Sequence, residues 1–505
     1  MRILTAAEVK GLEELAVESG TSMETLMENA GAVCAEFIQS KTDVREKRTV
    51  ILAGKGNNGG DGFVIARILS KAGARVTVVL AQGAPASALA KQAYDKMHKG
   101  IEIITARSAA KTVDTAEIIV DAVFGFNFHG KLPAAIASLL QRANHAKAMR
   151  IAVDIPSGAE CDSGFAGPDS FNADYTVTFT ARKPAHVVYP AAGFCGDVVV
   201  RPVGIRQEFL QMLPNDMASV ALSDLRPLFP KRAAESHKGT YGRLLMICGS
   251  VGMAGACIMA ARAALRSGVG LLELAVPHAL YPVIAPAVPE AVFTLYDVED
   301  ELETQLTAAL SRSTACLAGC GLGTAQYAKR LVETVLKTAK CPLVLDADAL
   351  NLVSDSPARL REAKAPVIVT PHPGEMARLT AKTVGAIRAD RVRTAKKFAQ
   401  KNNVVTVLKG AGTVVAAPNG DVRVNTTGNA GMAKGGSGDV LAGITAAFAA
   451  QGMEPFTAAY AAACIHGAAG DICAETLSEQ AMLPTDMIET LPKVFLRLRK
   501  RPQNP

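Results

Sequence analysis

Short apolar, β-branched runs alternate along this chain with longer stretches whose hydrophobic positions recur at helical spacing. Residues 50–53, 75–80, 117–121 and 150–153 read as strands, with 173–179 and 196–203 closing the set. Residues 62–71 and 88–99 read as helices between them. Two more helices open the chain, one over 6–19 and one capped by Thr21-Ser22 that runs through Met23 and Leu26 to Phe37. A second alternation carries strands at 243–247, 271–275, 315–318, 343–345, 367–369 and 404–408. Alternation of this kind predicts βαβ units, hence an α/β protein whose largely parallel sheets are covered on both faces. Between the two sets the pattern lapses into Leu213-Pro214-Asn215-Asp216, Arg226-Pro227 and Phe229-Pro230-Lys231-Arg232, which places a domain junction there.

Length agrees with two or three domains, since 505 residues exceed what one core supports. Hydrophobic residues at 49% and charged ones at 20% exclude wholesale disorder. The net charge of +7 is small for this length, and part of it lies in the tail Arg497-Leu498-Arg499-Lys500-Arg501, which reads as a solvated terminus. With no tryptophan and few other aromatics, stacking platforms for single strands are not expected, and no nucleic-acid partner is. The ten cysteines form no CxxC pair and no cluster at zinc spacing, so buried thiols in a reducing cytosol are the expectation. Cys316 and Cys320 read as part of a Gly-rich turn. Glu8, Glu13 and Glu14 lie within an amphipathic pattern, so a signal peptide is not expected at the start. The apolar stretch 440–474 is broken by Gln451, Gly452, Glu454 and Pro455, so no membrane partner and a cytoplasmic location are expected.

In the first half, Gly54-Lys55-Gly56-Asn57-Asn58-Gly59-Gly60-Asp61-Gly62 follows a strand and leads into a helix. Ligands of open parallel sheets gather at such strand ends. The spacing is not GxGxxG and no acid ends the next strand, which disfavours a plain dinucleotide dehydrogenase. Amides and a carboxylate in one tight loop suit a sugar-phosphate-like ligand or a hard cation. Val120-Asp121 runs into Gly125-Phe126-Asn127-Phe128-His129-Gly130, and Val153-Asp154 into Ile155-Pro156-Ser157-Gly158. A strand-terminal Asp is placed for acid–base work, although each could equally cap its loop.

Together with Leu26-Met27-Glu28-Asn29-Ala30-Gly31, these loops resemble the motifs of the NAD(P)H-hydrate epimerases. The resemblance implies that Asn57, Asn58, Gly59, Gly60 and Asp61 hold a hydrated nicotinamide dinucleotide. It implies that Gly125, Phe126, Asn127, Phe128, His129, Gly130 and Lys131 cover that ligand, and that Asn58, Asp121 and Ser157 bind K⁺. Asp154 would bind substrate and move the proton beside C6 of the nicotinamide ring. The family usually has Gly-Thr-Gly-Leu-x-Gly where this chain has Gly125-Phe126-Asn127-Phe128-His129-Gly130, a departure that leaves open whether the epimerase half is altered or weakened, with His129 read as a surface residue of the loop.

The second half carries more such loops: Gly249-Ser250-Val251-Gly252-Met253-Ala254-Gly255-Ala256, Gly319-Cys320-Gly321-Leu322-Gly323-Thr324, Asp346-Ala347-Asp348-Ala349-Leu350, Thr370-Pro371-His372-Pro373-Gly374-Glu375 and Lys409-Gly410-Ala411-Gly412-Thr413. Last comes Asn425-Thr426-Thr427-Gly428-Asn429-Ala430-Gly431-Met432-Ala433-Lys434-Gly435-Gly436-Ser437-Gly438-Asp439, followed by an alanine-rich helical pattern. Glycines turn backbone N–H groups inward and a helix start adds partial positive charge, which makes a phosphate site with a carboxylate beside it. An acid among phosphates is better explained as the base for an acceptor hydroxyl than as a ligand contact. None of the loops is a Walker A.

The order of these loops resembles the ribokinase-like superfamily, and their details resemble the NAD(P)H-hydrate dehydratases. The resemblance implies that Ala256, Gly321, His372 and Asp439 contact the hydrated dinucleotide, and that Lys409, Gly410, Ala411, Gly412, Thr413 and Gly438 hold an adenine nucleotide. Asp439 would be the catalytic base, Mg²⁺ would accompany the phosphates, and ADP would be the phosphoryl donor. Cys320 stands where proline is usual and Lys434 where threonine is; Asp346 and Asp348 are either structural or help place the metal. The expected architecture is two three-layer domains: a Rossmann-like epimerase domain over 1–212 and a ribokinase-like dehydratase domain over 236–505, joined through 213–235. Its substrates would be NADH hydrate, NADPH hydrate and ADP, in a homo-oligomer. A vitamin-type kinase with a non-catalytic binding module in front is the rival reading.

Overall fold

The computed structural model describes residues 1–213, 217–297 and 302–499. Contacts divide the chain into two units, Met1–Asp216 and Met217–Pro505. Pro214, Asn215 and Asp216 of the expected junction, and Lys500 and Arg501 of the basic tail, lie outside the described residues.

The first unit is built on strands β1 (Arg48–Ala53), β2 (Arg75–Leu80), β3 (Glu102–Thr105), β4 (Ile118–Ala122), β5 (Met149–Val153), β6 (Tyr175–Phe179) and β7 (Asp197–Arg201). They form one parallel sheet in the order β3-β2-β1-β4-β5-β6-β7. Alternate side chains serve opposite faces. Ile51 and Ala53 of β1 pack with the helices Met23–Lys41 and Asn57–Lys71, while Val50 and Leu52 pack with Ala134–His145. The strand order reverses between β1 and β4, and a crevice opens there at the carboxyl ends.

Two sequence expectations are corrected here. The helix after β1 begins at Asn57, not at 62, because Gly59, Gly60 and Gly62 let it press onto its surroundings: a Cβ on Gly59 would fall 2.0 Å from Gly54 O. The next helix ends at Asp95, short of 99. The opening helices start as read, with Thr5 capping Ala6–Glu18 in a reciprocal box with Glu8, and Ser22 capping Met23–Lys41.

The second unit contains β8 (Met217–Val220), β9 (Arg243–Ile247), β10 (Leu271–Pro277), β11 (Val292–Tyr296), β12 (Ala315–Ala318), β13 (Leu343–Leu345), β14 (Val367–Val369), β15 (Val405–Leu408), β16 (Val414–Ala416) and β17 (Val422–Asn425). The sheet order is β11-β10-β9-β12-β13-β14-β15-β16-β17-β8. Pairing is parallel from β11 to β15, antiparallel through β16, and parallel again between β17 and β8. Within the stretch read as a junction, β8 thus joins the second sheet and Leu225 is buried in its core. Helices Ala254–Arg266, Ser437–Ala450, Pro455–Ala481 (broken at Ser478) and Pro484–Arg499 pack around one apolar cluster. The helix from Ser437 is buried almost throughout, and Gly443 lets it touch its neighbour, since a Cβ there would lie 2.2 Å from Ala260 O. No helix among the described residues is long and apolar enough to cross a membrane.

Candidate active sites

In the first unit the loops after β1 and β4 meet at the point of reversal. Gly54 N donates to Ala122 O at 3.0 Å, and a Cβ on Gly54 would fall 2.0 Å from Val123 O. Glycine is what lets the two strand ends close up. A cavity of about 570 Å³ lies beside them. Asn57, Asn58 and Asp61 line it from one loop, and Gly125, Phe126, Asn127, Phe128, His129 and Lys131 from the other. Asp154 and Lys183 lie in its wall, as do Val9, Glu13, Leu26 and Met27 of the opening helices. Gly59 and Gly60 are buried in packing, beneath Gly54 O and Met27, so they shape the site without facing it. Gly130 turns the second loop at φ +82° and donates its N–H to Glu160 Oε1 at 2.9 Å. Phe128 is buried against Phe124, with ring centroids 4.8 Å apart, while Asn127 and His129 are exposed.

Asp154 stands just past β5 with φ +65°, a conformation an ordinary residue rarely adopts and one its neighbours must hold. Its N–H donates to Val177 O at 2.8 Å. Its Oδ1 accepts from Lys183 Nζ at 2.6 Å and Thr178 Oγ1 at 2.9 Å. The ammonium also donates to Thr178 Oγ1 at 2.8 Å and Phe179 O at 3.0 Å. Burial alone would raise the Asp154 carboxyl, but the charge and hydrogen bond of Lys183 outweigh it and hold the group below the usual range. His186 Nδ1 accepts from Lys183 N at 2.9 Å, which leaves the proton on Nε2 to donate to Asp154 O at 2.7 Å. Burial pushes this imidazole down to about 4, so it stays neutral. Lys183 and His186 were missed in the sequence, where they stand in Arg182-Lys183-Pro184-Ala185-His186 shortly after β6 with no spacing that marks them.

The residues expected to hold K⁺ converge around Phe124. Asn58 Nδ2 donates to Phe124 O at 3.0 Å, and Phe124 N donates to Ser157 Oγ at 2.9 Å. Ser157 in turn gives Asp121 its Oγ–H at 2.6 Å and its N–H at 2.7 Å. Asp121 is fully buried, and no basic side chain pairs with it among the described residues. Burial therefore pushes its carboxyl up to about 6 despite these bonds. An all-oxygen set around an uncompensated buried carboxylate fits a monovalent cation.

The second unit has its own reversal, between β9 and β12. Gly249 N donates to Cys320 O at 2.9 Å, and Ser250 Oγ to Gly321 O at 2.9 Å. Gly321, at φ +62°, sits against the start of Ala254–Arg266; its missing Cβ would lie 2.9 Å from the Cβ of Ala256. Beyond β13, Asp346 is buried and accepts from Lys409 Nζ and Thr370 Oγ1, both at 2.7 Å. Gly323 N donates to Asp348 Oδ2 at 2.8 Å, so Asp348 braces the loop after β12. Lys409 N donates to Pro371 O at 2.9 Å and Thr413 Oγ1 to Gly410 O at 2.9 Å, while buried Arg391 donates to the carbonyls of Leu408 and Ala411. Residues 409–413, with Gly410, Ala411 and Gly412, thus form a braced turn between β15 and β16.

His372 caps the helix Pro373–Thr380, its Nδ1 accepting from Gly374 N at 2.9 Å and from Glu375 N at 3.4 Å, with Nε2 3.5 Å from Glu375 Oε1 and about half the side chain exposed. Glu375 returns the contact by accepting from His372 N at 2.8 Å. Burial raises the Glu375 carboxyl to about 7 against the pull of Lys409. Asp439 lies in the first turn of Ser437–Ala450, whose N-cap Gly436 has φ +99° and offers no side-chain cap. Ser437 N donates to Lys434 O at 3.3 Å, and no side chain caps the N–H groups that follow it beside the carboxylate. Burial and the charge of Asp346 push Asp439 up to about 6, with the Cys320 thiol and Lys409 pulling the other way. A Cβ on Gly438 would come 3.2 Å from Lys409 Nζ, which brings the glycine run and the ammonium together.

Ligand atoms of Cys320, Asp346 and Asp439 lie within 4.8 Å of one another. The two carboxylates suit Mg²⁺ and the thiol does not, and Lys409 already engages Asp346. All ten cysteines are buried and unpaired. The glycine run is anchored from behind by Asp471, which accepts from Gly428 N at 2.9 Å and Asn429 Nδ2 at 3.0 Å. Lys434 Nζ donates to Gln480 O at 2.7 Å and also to Met482 O.

Residues 244–493 match the NAD(P)H-hydrate dehydratase family, and residues 23–185 the family described as YjeF-related protein N-terminus. The chain is 38% identical to the bifunctional NAD(P)H-hydrate repair enzyme of Moorella thermoacetica, with 99% of this chain and 98% of that protein aligned. The chain belongs to the bifunctional NAD(P)H-hydrate repair enzymes. Its identity to the family's member from Escherichia coli is 35%, over 96% of this chain and 92% of that one. The crystal structure of an ADP/ATP-dependent NAD(P)H-hydrate dehydratase from Bacillus subtilis, co-crystallized with ATP and Mg²⁺, is 34% identical and covers 56% of this chain and 99% of its own, with a TM-score of 0.50. Membership over the full length makes the chain a bifunctional enzyme, an isomerase and a lyase. It decides against the kinase with a non-catalytic front module.

Proposed function

We propose that the first unit interconverts the R and S epimers of NAD(P)H hydrate and that the second dehydrates the S epimer with ADP as phosphoryl donor, giving AMP and phosphate. Asp439 carries the second half of this reading, as an acid at an uncapped helix start beside the Lys409–Asp346 pair. In its ionised form it takes the proton of the C6 hydroxyl, whose oxygen then attacks the terminal phosphoryl group. Hydroxide is a poor leaving group and phosphate a good one, so the phosphorylated oxygen departs as the C5 proton is lost and the nicotinamide ring regains its double bond. Lys409 and the amides of 435–438 face the phosphates. Ala256, Gly321 and His372 are the proposed contacts to the hydrated ring, and Lys409–Thr413 with Gly438 those to the nucleotide. Mg²⁺, when bound with the nucleotide, supplies charge neutralisation at the phosphates, and Asp346 is the side chain suited to hold it. A relative that is ADP/ATP-dependent supports the adenine nucleotide.

In the first unit, Asp154 is the proposed proton-transfer group, kept ionised by Lys183. Asn58, Asp121 and Ser157 would hold K⁺, whose contribution is to balance the buried Asp121 charge and fix the loop over the substrate. The family's tendency to assemble supports a homo-oligomer, and the unpaired thiols are compatible with the cytosol. The deciding experiment gives the purified chain mixed hydrate epimers with Mg²⁺ and either ADP or ATP, and follows reduced-nicotinamide absorbance. Absence of any recovered NADH or NADPH would refute the dehydratase assignment.

A further inference from the structure

The opening helices give the first cavity an apolar wall, made by Val9, Met23, Leu26, Met27 and Ala30, with one acid set into it, Glu13. Val9 and Glu13 are four residues apart on Ala6–Glu18, so they share the helix face turned toward the cavity. Its neighbour Glu14 behaves as surface acids do, standing out in solvent 3.9 Å from Lys10. Glu13 is different. It is half-buried, and among the described residues it makes no hydrogen bond and no ion pair. An unpartnered carboxyl on an apolar wall invites a structural or chemical reason.

Inversion at C6 supplies the chemistry. The C6–O bond must break and re-form on the other face. The hydroxyl leaves readily only as water, so one group must give it a proton while the N1 electron pair closes an N1=C6 bond. A water then adds to the opposite face of C6, its electron pair forming the new C–O bond and its proton passing to a second group. The exchange is neutral in protons, but it needs one acid and one base at the start. We propose that Glu13 is the second catalytic carboxyl of the epimerase, giving its proton to the departing hydroxyl while Asp154 takes one from the incoming water. Reversal of the roles returns the other epimer. Their surroundings set the two apart: Lys183 sits on Asp154 at 2.6 Å, whereas Glu13 faces the cavity unpaired. In agreement, burial and the Asp154 charge push Glu13 up to about 7, so it holds its proton near neutrality.

The inference rests on the epimerase reading, and the test separates them. The full chain is given one separated epimer of NADH hydrate without nucleotide, which idles the dehydratase, and the other epimer is followed by chromatography. Glu13→Gln keeps the shape and loses the acid; its kcat for exchange should fall at least about 100-fold with KM within about threefold. Glu13→Asp, which restores an acid one methylene shorter, should remain within about tenfold of the wild type. Exchange by Glu13→Gln within about threefold of the wild type overturns the inference, as does a raised KM with kcat unchanged, or equal losses in both variants. A wild-type chain that exchanges nothing sinks the epimerase reading itself and this inference with it.

Discussion

Replacing Lys183 with Met removes the cation that neutralises Asp154 and leaves the rest of the cavity in place. Both groups are buried, Lys183 at 1% and Asp154 at 4% exposure. Breaking a buried pair from one side costs about 3–5 kcal/mol, because the remaining charge stays uncompensated. Asp154 escapes part of that cost by keeping its proton at neutral pH, and a protonated carboxyl cannot act as the base. Epimer exchange should therefore fall at least about 100-fold. The chain has no tryptophan, so unfolding is best followed by circular dichroism. With a urea slope of about 3 kcal/mol per M, the transition of the first unit should move down by about 1 M or more. The double variant Lys183→Met/Asp154→Asn leaves no charge at this buried pair and should recover most of the stability while remaining unable to exchange epimers. The pH dependence follows from the same pair. The Asp154 carboxyl lies below the usual range when folded, so its contribution is full above the unfolded value of about 3.9 and is lost as pH falls through the folded one. A Lys183→Met chain that exchanges epimers within about threefold of the wild type, with an unmoved transition, refutes the reasoning.

Asp439→Asn should lower dehydration by about 10²–10⁴-fold while epimer exchange is unchanged; equal losses in both assays would break the division of labour. Ser157→Ala takes a bond from Asp121 and an acceptor from Phe124 N, costing about 1–3 kcal/mol. It should also abolish any K⁺ dependence of exchange, read by replacing K⁺ with Na⁺ in the assay. Gly54→Ala drives a methyl to 2.0 Å from Val123 O, so the melting transition of the first unit should drop by more than about 2 kcal/mol and exchange should be lost with it.

The loops that converge at each strand reversal were legible in sequence because parallel sheets force them to the same end, and glycine clusters mark where backbones touch. The loops carrying Asn58, Asp121 and Ser157 could be grouped on that ground; the choice of those three residues came from the family resemblance. Lys183 and His186 could not, since a lysine beside a proline carries no spacing signal, and only the fold turns it inward onto Asp154. Glu13 was read merely as an acid that breaks up a leader. The strand β3 escaped because it is a short edge strand, mostly exposed, with weak alternation. The pair β16–β17 had a signal that went unused: Asn419-Gly420 between Val414-Val415-Ala416 and Val422-Arg423-Val424 is a strong hairpin pattern. Four residues ahead of a run of prolines hid β8, whose partner β17 lies some two hundred positions downstream.

Lys434 ties the glycine run to the carbonyls of Gln480 and Met482, just past the break at Ser478. Those carbonyls end a long helix and would otherwise lack donors. The glycine turn proposed to hold the phosphates therefore hangs from a peg more than forty residues away. Because these acceptors are main-chain carbonyls, it is the backbone path around 478–482, more than the side chains there, that holds Lys434 in place.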